Sequence, residues 1–304
     1  MTRLAVFAYS DTGHACLDFL LNRGERVVFV GTHRDDPSEA RWYPSVAERA
    51  RAAGIEPVVM EDPRAPESIE RVRAAAPDLL LSFYYRKMLP DAMLALPRLG
   101  AFNVHGSLLP KFRGRAPVNW AILEGETRTG ATLHRMTARA DAGEIVDQEA
   151  VAIGPDDTAV EVQRRVTAAA VVILARRIDE LKAGTARAVA QDERQASRFG
   201  RRRPEDGRID WARPAQRIHD LVRAVTHPFP GAFTDLFGGK TYVWRTRLPG
   251  LGAHDTFPGQ IRAEEEHLFV ACGDDRYVEV LSLQREGGEI VQARNFQLDL
   301  RDTR

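Results

Sequence analysis

Short apolar runs alternate with amphipathic segments through the first third of the chain. Four apolar runs, rich in branched and aromatic side chains, predict buried strands at 4–8, 27–30, 55–60 and 79–83. Segments with helical spacing lie between them, at 14–21, at 44–53 and onward from Pro66. Such alternation is typical of βαβ units. The sequence therefore predicts an α/β fold, a Rossmann-like and mostly parallel sheet with helices on both faces.

A fifth predicted strand holds Asn103 and His105, two residues apart. Alternate side chains of a strand point to opposite faces, so these two point the same way. Ligands of open parallel sheets bind beyond the carboxyl ends of the strands, which puts both residues at that edge. The next predicted strand, 132–136, leads into a loop with Asp141. If that strand is also parallel, Asp141 lies on the same edge.

The second half of the chain has a different pattern. Pro117 opens a short helix, and a capping box at Thr158 and Glu161 opens the longest one, which ends near Ala183. The stretch 191–207 is polar and charged, and a helix at 215–225 follows it. Short strands at 241–244, 268–271 and 277–283 then predict a small, OB-like barrel. We expect an N-terminal catalytic domain (1–190), a linker (191–207) and a C-terminal OB-like domain (208–304).

The charge balance and the composition limit the kinds of partner and the cellular compartment that we expect for the protein. Lys+Arg and Asp+Glu both number 43, a formal net charge of +0, and 208–304 carries 13 and 14 of them. Nucleic-acid binding needs many uncompensated cations, so we expect no nucleic-acid partner. The N-terminal apolar run is too short for a signal peptide, and no run is long enough to span a membrane. Two distant cysteines suit a reducing compartment, so a cytoplasmic protein is expected.

Several kinds of site are absent from the sequence. The turn at 9–13 lacks the three-glycine phosphate fingerprint, so no NAD or flavin is expected. The histidines lack metal-ligand spacing, so no metal is expected. A core histidine paired with an amide remains the structural alternative for His105. The functional interpretation joins Asn103, His105 and Asp141 in acyl transfer without a covalent intermediate. There the imidazole moves a proton, the amide donates to an oxyanion and the carboxylate orients the imidazole.

Residues 105–117, HGSLLPKFRGRAP, resemble the signature of the formyltransferases that use 10-formyltetrahydrofolate, and the resemblance extends over essentially the whole chain. It implies that an amine attacks the formyl carbon of the folate and that Asn103, His105 and Asp141 are the catalytic residues. The implied folate contacts are Lys87, Met88, Leu89, Arg115, Thr137, Ala138, Arg139, Ala140 and Asp141.

Within that family, the chain resembles the formyltransferase domain of the bifunctional enzyme that acts on UDP-4-amino-4-deoxy-L-arabinose and decarboxylates UDP-glucuronate. The similar segments are FAY at 7–9, SFYYR at 82–86, GATLHRM at 130–136 and FGRR at 199–202. The resemblance implies that acceptor, and with it lipid A (lipopolysaccharide) modification and polymyxin resistance. The decarboxylase domain has no counterpart, so a stand-alone formyltransferase is expected. The loop after the first strand, with Tyr9, Ser10, Asp11 and Thr12, is predicted to face the nucleotide.

Three alternatives remain open. One is a formyltransferase for another UDP-, dTDP- or GDP-linked aminosugar. A second is a methionyl-tRNA formyltransferase, which needs a basic loop after the second strand, whereas 31–41 is mixed in charge. The third is a catalytically silent folate- or nucleotide-binding module. The presence of Asn103, His105 and Asp141 together argues against this last one, because a binder has no use for the trio.

Overall fold

The computed structural model describes residues 1–34, 42–236 and 238–295. The loop after the second strand is therefore described only in part, and 35–41 of the mixed-charge segment lie outside it. The chain forms two compact units. The first contains Met1–Pro117, Arg128–Ala152 and Val162–Gly200. The second contains Val118–Thr127, Ile153–Glu161 and Arg201–Arg304.

In its described residues, the first unit contains nine strands and four helices of its own. The strands are β1 (Arg3–Ala8), β2 (Arg26–Thr32), β3 (Val58–Val59), β4 (Leu79–Phe83), β5 (Ala101–His105), β6 (Arg113–Gly114), β7 (Arg128–Arg135), β8 (Ile145–Ala152) and β9 (Arg198–Phe199). The helices are α1 (Ser10–Asn22), α2 (Val46–Ala52), α3 (Pro66–Ala74) and α4 (Asp91–Leu94). Two more, α5 (Pro117–Leu123) and α6 (Ala159–Ala183), continue into the second unit.

Seven of these strands form one sheet in the order β3-β2-β1-β4-β5-β7-β8. The first five are parallel, which confirms the predicted mostly parallel sheet. On one face Phe7, Leu80 and Ala101 pack with Val72 of α3 and Met93 of α4. Burial of such side chains supplies the main stabilisation of the sheet.

Asp141 is expected at the same edge as His105 only if β7, the strand before it, is parallel to its neighbours. The strands β7 and β8 are antiparallel, so this assumption is wrong. Phe102 pairs with Arg135 and His105 with Thr132, so β7 ends at the amino end of β5. Asp141 nevertheless comes close to His105, because the loop after β7 turns back along the sheet. Strand direction depends on tertiary pairing, and the local sequence pattern does not record it.

Three predicted boundaries were also wrong. The helix expected from Pro44 begins at Val46, because the Ser45 hydroxyl accepts the Glu48 N–H and caps it. Only Val58–Val59 of the run 55–60 pairs as a strand. The first helix starts at Ser10 and not near 14, so the proposed nucleotide loop is largely its first turn.

The second unit contains α7 (Ala215–Val225), as predicted, and six strands of an antiparallel, barrel-like sheet. They are β10 (Ala232–Thr234), β11 (Thr241–Arg247), β12 (Ile261–Glu264), β13 (His267–Ala271), β14 (Tyr277–Arg285) and β15 (Ile290–Gln292). The long β14 pairs with β11, β13 and β15. Its side chains Val278, Val280 and Leu283 are buried and form much of this core.

Residues 191–207, expected as a linker, carry short regular elements: β9 and two 3₁₀ turns. In β9, Arg198 and Phe199 pair in parallel with Arg113 and Gly114 of β6. Many polar groups of this stretch therefore make hydrogen bonds within the protein. Within the described part of the chain, no helix is both long and apolar enough to span a membrane.

Candidate active site

Asn103 lies in the middle of β5 and His105 at its carboxyl end, and β7 adds a third polar side chain beside Asn103. Asn103 is paired with His134, whose Nε2 lies 3.1 Å from the Asn103 amide nitrogen. The Nδ1 of His134 lies 2.8 Å from the carbonyl oxygen of Arg135. A carbonyl only accepts, so Nδ1 carries the proton and Nε2 is left to accept from Asn103. His134 thus fixes the direction in which the Asn103 amide points.

The imidazole of His105 is hydrogen-bonded at one ring nitrogen and faces a carboxylate at the other. Its Nε2 donates to the carbonyl oxygen of Phe112 at 2.8 Å. Its Nδ1 faces the Asp141 carboxylate, with 3.6 Å to Oδ1. The side chain is only 8% exposed. Because Nε2 is engaged by a backbone carbonyl, Nδ1 is the nitrogen that can exchange a proton with a bound molecule.

Asp141 joins the two histidines. Its Oδ2 accepts the backbone N–H of Gly114 at 2.9 Å, and its Oδ1 lies 3.6 Å from His105 and 3.7 Å from His134. Burial alone would raise the pKa of Asp141, but the neighbouring His105 first, and then the Gly114 N–H, outweigh it and hold the pKa well below its ordinary value. The carboxylate is therefore charged at neutral pH. The φ of Asp141 is +55°, a conformation that must be supported by the surroundings.

The glycines of the motif at 105–117 have steric reasons. A Cβ at Gly106 would lie 1.8 Å from the hydroxyl of Tyr84, and one at Gly114 would lie 2.2 Å from the carbonyl oxygen of Phe199. Gly114 also has a φ of +102°, which side chains rarely allow. The two glycines let the loop pack closely against Tyr84 and Phe199. In this position the N–H of Gly114 reaches Asp141.

The first group of implied folate contacts, Lys87, Met88 and Leu89, follows β4. The Lys87 ammonium donates to the backbone carbonyls of Met60, at 2.9 Å, and Glu61. Met88 is 41% exposed, whereas Leu89 is buried in the hydrophobic core. A ligand could therefore touch the side chain of Met88, but only the backbone of Leu89.

The remaining implied folate contacts lie on two loops. Arg115, which is exposed, donates to the carbonyl oxygen of Arg86 at 2.7 Å. Four residues, Thr137, Ala138, Arg139 and Ala140, belong to the segment that carries Asp141. The first three of them are exposed. The structure thus places these residues on the loop that leads to the trio.

The four residues predicted to face the nucleotide differ in availability. The ring of Tyr9 lies beneath the Arg86 guanidinium at 4.5 Å, and Ser10 donates to Asp11 at 2.6 Å. Asp11 accepts from Thr167 of α6 at 2.7 Å, and Thr12 is fully buried beside the same residue. Asp11 and Thr12 therefore join α1 to α6. Tyr9 is buried, so Ser10 is the better candidate for ligand contact.

Sequence reasoning missed two histidines near these residues. His134 could have been found from strand pairing, which sets it beside Asn103. His33 stacks on Tyr85 with 4.3 Å between the rings, and its Nε2 accepts the Arg86 N–H at 2.9 Å. Burial first, and then the charges of Lys87, Arg86 and Arg115, lower the pKa of His33 to about 4. No local sequence pattern indicated the role of His33, because its partners Tyr85 and Arg86 are distant in the sequence.

In the parts of the chain that the structure describes, no group of three His, Cys, Asp or Glu side chains is arranged to bind a metal ion. The site can instead present an amide donor, an imidazole and a carboxylate to a reacting carbonyl. These are the groups that proton transfer and oxyanion stabilisation require.

Solved structures share this fold over most of the chain. WlaRD, a sugar 3N-formyl transferase solved with dTDP and 5-N-formyl-THF, is 18% identical, with 92% of this chain and 97% of that chain covered and a TM-score of 0.71. An N-formyltransferase from Helicobacter canadensis, solved with folinic acid and dTDP-3-aminofucose, is 19% identical, with coverages of 92% and 99% and a TM-score of 0.71. HypX from Aquifex aeolicus, solved with tetrahydrofolic acid, is 16% identical, with coverages of 97% and 46% and a TM-score of 0.66.

Two family models match the sequence itself. The one described as Formyl transferase matches residues 2–178, which is more than half of the chain. The one described as Formyl transferase, C-terminal domain, matches residues 201–299. The chain therefore belongs to the formyl transferase family and is a formyltransferase.

Proposed function

We propose that the protein transfers the formyl group of 10-formyltetrahydrofolate to the amine of a nucleotide-linked aminosugar, with UDP-4-amino-4-deoxy-L-arabinose as the acceptor. The observation that carries the chemistry is that Asp141 lies 3.6 Å from His105 and 3.7 Å from His134, which in turn holds Asn103. This arrangement offers an oxyanion donor and a proton carrier without a nucleophilic side chain.

Bond changes follow from the groups present. The neutral amine of the sugar attacks the formyl carbon, and the carbonyl oxygen becomes an oxyanion. Asn103 has two amide N–H groups, and His134 accepts only one of them, so the second can donate to the oxyanion. Collapse of the tetrahedral intermediate breaks the bond from the formyl carbon to the folate nitrogen, and the formamide remains on the sugar.

Proton transfer accompanies these steps. The attacking amine must lose a proton, and the departing folate nitrogen must gain one. The Nδ1 of His105 can carry out both transfers in turn, because Nε2 stays bound to the carbonyl of Phe112. The charged Asp141 stabilises the imidazolium that forms between the two transfers. Since Asp141 remains ionised, the proton is not passed on to it.

The identity of the two substrates rests on resemblance and on the solved structures. The motif at 105–117 implies 10-formyltetrahydrofolate, and the WlaRD and Helicobacter canadensis structures hold a formylated folate. The same two structures hold dTDP or a dTDP-aminosugar, which supports a nucleotide-linked acceptor here. The choice of UDP-4-amino-4-deoxy-L-arabinose rests on the similar segments at 7–9, 82–86, 130–136 and 199–202. We assign Ser10 to the nucleotide, and Met88, Arg115 and the 137–140 segment to the folate.

A transfer assay with a panel of acceptors tests the proposal. The enzyme is incubated with 10-formyltetrahydrofolate and UDP-, dTDP- and GDP-aminosugars, with formyl-acceptor tRNA as a further sample, and the products are read by mass spectrometry. We expect a formylated product from UDP-4-amino-4-deoxy-L-arabinose, with much slower reaction of the others. Faster reaction of a dTDP- or GDP-sugar would replace the acceptor and keep the chemistry. Formylation of tRNA alone would overturn the aminosugar assignment.

A further inference from the structure

The segment that carries Asp141 is held by a side chain from outside the proposed trio. The amide nitrogen of Gln191 donates to the carbonyl oxygens of Asp141 at 2.9 Å and Gly143 at 2.6 Å. Gly143 also has no room for a side chain, because a Cβ there would lie 1.9 Å from the carbonyl oxygen of Arg135. The turn around Asp141 is thus held by Gln191 and packed closely against Arg135.

Gln191 is itself held in one orientation. Its amide oxygen accepts from Nε of Arg113 at 3.2 Å and from an outer guanidinium nitrogen at 2.8 Å. Since guanidinium nitrogens only donate, the oxygen of Gln191 must face Arg113 and the nitrogen must face the loop. Arg113 is 3% exposed and makes a two-bond ion pair with Glu193, at 3.0 and 2.7 Å. Such bidentate pairs fix direction as well as position.

Arg113 is also linked to the Asp141 carboxylate through the backbone. The residue that follows Arg113, Gly114, donates its N–H to Oδ2 of Asp141. The Arg113 side chain and the Gly114 backbone therefore hold the backbone and the carboxylate of Asp141 at once. The left-handed φ of Asp141 requires support of this kind.

We propose that Gln191 is a positioning residue that sets the place of the Asp141 carboxylate opposite His105, an inference that rests on the proposed function. Gln191 touches none of the reacting groups. Its action passes through the carbonyl oxygens of the Asp141 turn, and Arg113 and Glu193 orient it. A displacement of about 1 Å in a catalytic group can lower a rate by roughly 100-fold, so loss of this grip affects the chemical step.

A double-mutant cycle separates positioning from general stability. Gln191→Ala removes both donors to the loop, and Gln195→Ala is the matched control, because Gln195 bonds to Asp192 and to nothing in the Asp141 turn. Single-turnover rates are measured with both substrates saturating, in the wild-type and the Asp141→Asn backgrounds. We expect Gln191→Ala to lower the wild-type rate by roughly 10- to 100-fold and the Asp141→Asn rate by less than about twofold. Gln195→Ala should leave both rates unchanged.

A second readout needs no substrate. Hydrogen exchange at the Gly114 amide reports its bond to Asp141, and we expect Gln191→Ala to speed it at least about fivefold while Gln195→Ala does not. Equal rate losses in the two backgrounds, or unchanged exchange at Gly114, would overturn the positioning role. If the wild type formylates no acceptor, the proposed function fails, and the exchange measurement alone decides the role of Gln191.

Discussion

The amide nitrogen of Asn103 lies 3.1 Å from Nε2 of His134, and the other ring nitrogen of His134 is tied to the carbonyl of Arg135. This relationship turns a freely rotating amide into one with a defined direction. An oxyanion donor acts best when it is already oriented before charge develops, since no reorganisation is then needed in the transition state. We therefore infer that His134 orients Asn103 as the proposed oxyanion donor.

Removal of His134 should therefore lower turnover through Asn103. We expect His134→Ala to reduce kcat by roughly 10-fold or more, because the amide loses its fixed direction. In an Asn103→Ala background the same substitution should change kcat by less than about twofold. Steady-state kinetics of the two single variants and the double variant check this. Independent, multiplicative losses would show that His134 acts in some other way.

Asn103→Ala removes the oxyanion donor itself. Loss of one such donor raises the barrier by about 3 kcal/mol, so kcat should fall by roughly 100-fold or more while the fold is kept. Circular dichroism checks the fold, and Asn22→Ala, an exposed asparagine of α1, is the matched control. Near-normal turnover of Asn103→Ala would refute the role given to the amide.

Asp141→Asn tests the need for a charge beside the imidazole. The carboxamide is similar in size but cannot stabilise an imidazolium, so we expect a loss of roughly 100-fold or more in kcat. Asp147→Asn is a suitable control, because Asp147 pairs with Arg176 and Arg177 rather than with a histidine of the site. That variant should lose stability to urea but keep its kcat. A fully active Asp141→Asn enzyme would contradict the mechanism.

His33 predicts an acid-sensitive contribution to stability. Its pKa is lowered to about 4 in the folded protein, from an ordinary 6.5. Between these two pH values the His33 imidazole is protonated in the unfolded chain but neutral in the folded protein. The free energy of unfolding therefore decreases as the pH falls from ~6.5 towards ~4, by about 3 kcal/mol at most. Urea unfolding at several pH values should show a flatter dependence for His33→Gln than for the wild type. His254→Gln, an exposed control, should match the wild type. Identical curves for His33→Gln and the wild type would show that His33 is not held neutral.

The sequence contains enough to place much of this site. The alternation in β5 puts Asn103 and His105 on one face, and the capping box of Thr158 and Glu161 correctly marks the start of the longest helix. The approach of Asp141 was not readable, because it depends on an antiparallel β7 and on a loop that turns back. His134 and Gln191 were missed for a related reason: each acts through a partner that is distant in sequence or on another strand. The burial of Leu89 likewise follows from packing and not from the motif.

In the proposed reaction His105, beside Asn103 and Asp141, moves the proton during formyl transfer to an aminosugar amine. The most direct measurement follows a ¹³C-labelled formyl group from 10-formyltetrahydrofolate to the sugar in a single turnover, for the wild type and for His105→Ala. We expect the label to appear as a formamide on the sugar with the wild type, and roughly 100-fold or more slowly with His105→Ala. Transfer at equal rates by the two enzymes would contradict the role of His105. The absence of labelled formamide with the wild type would contradict formyl transfer to the sugar.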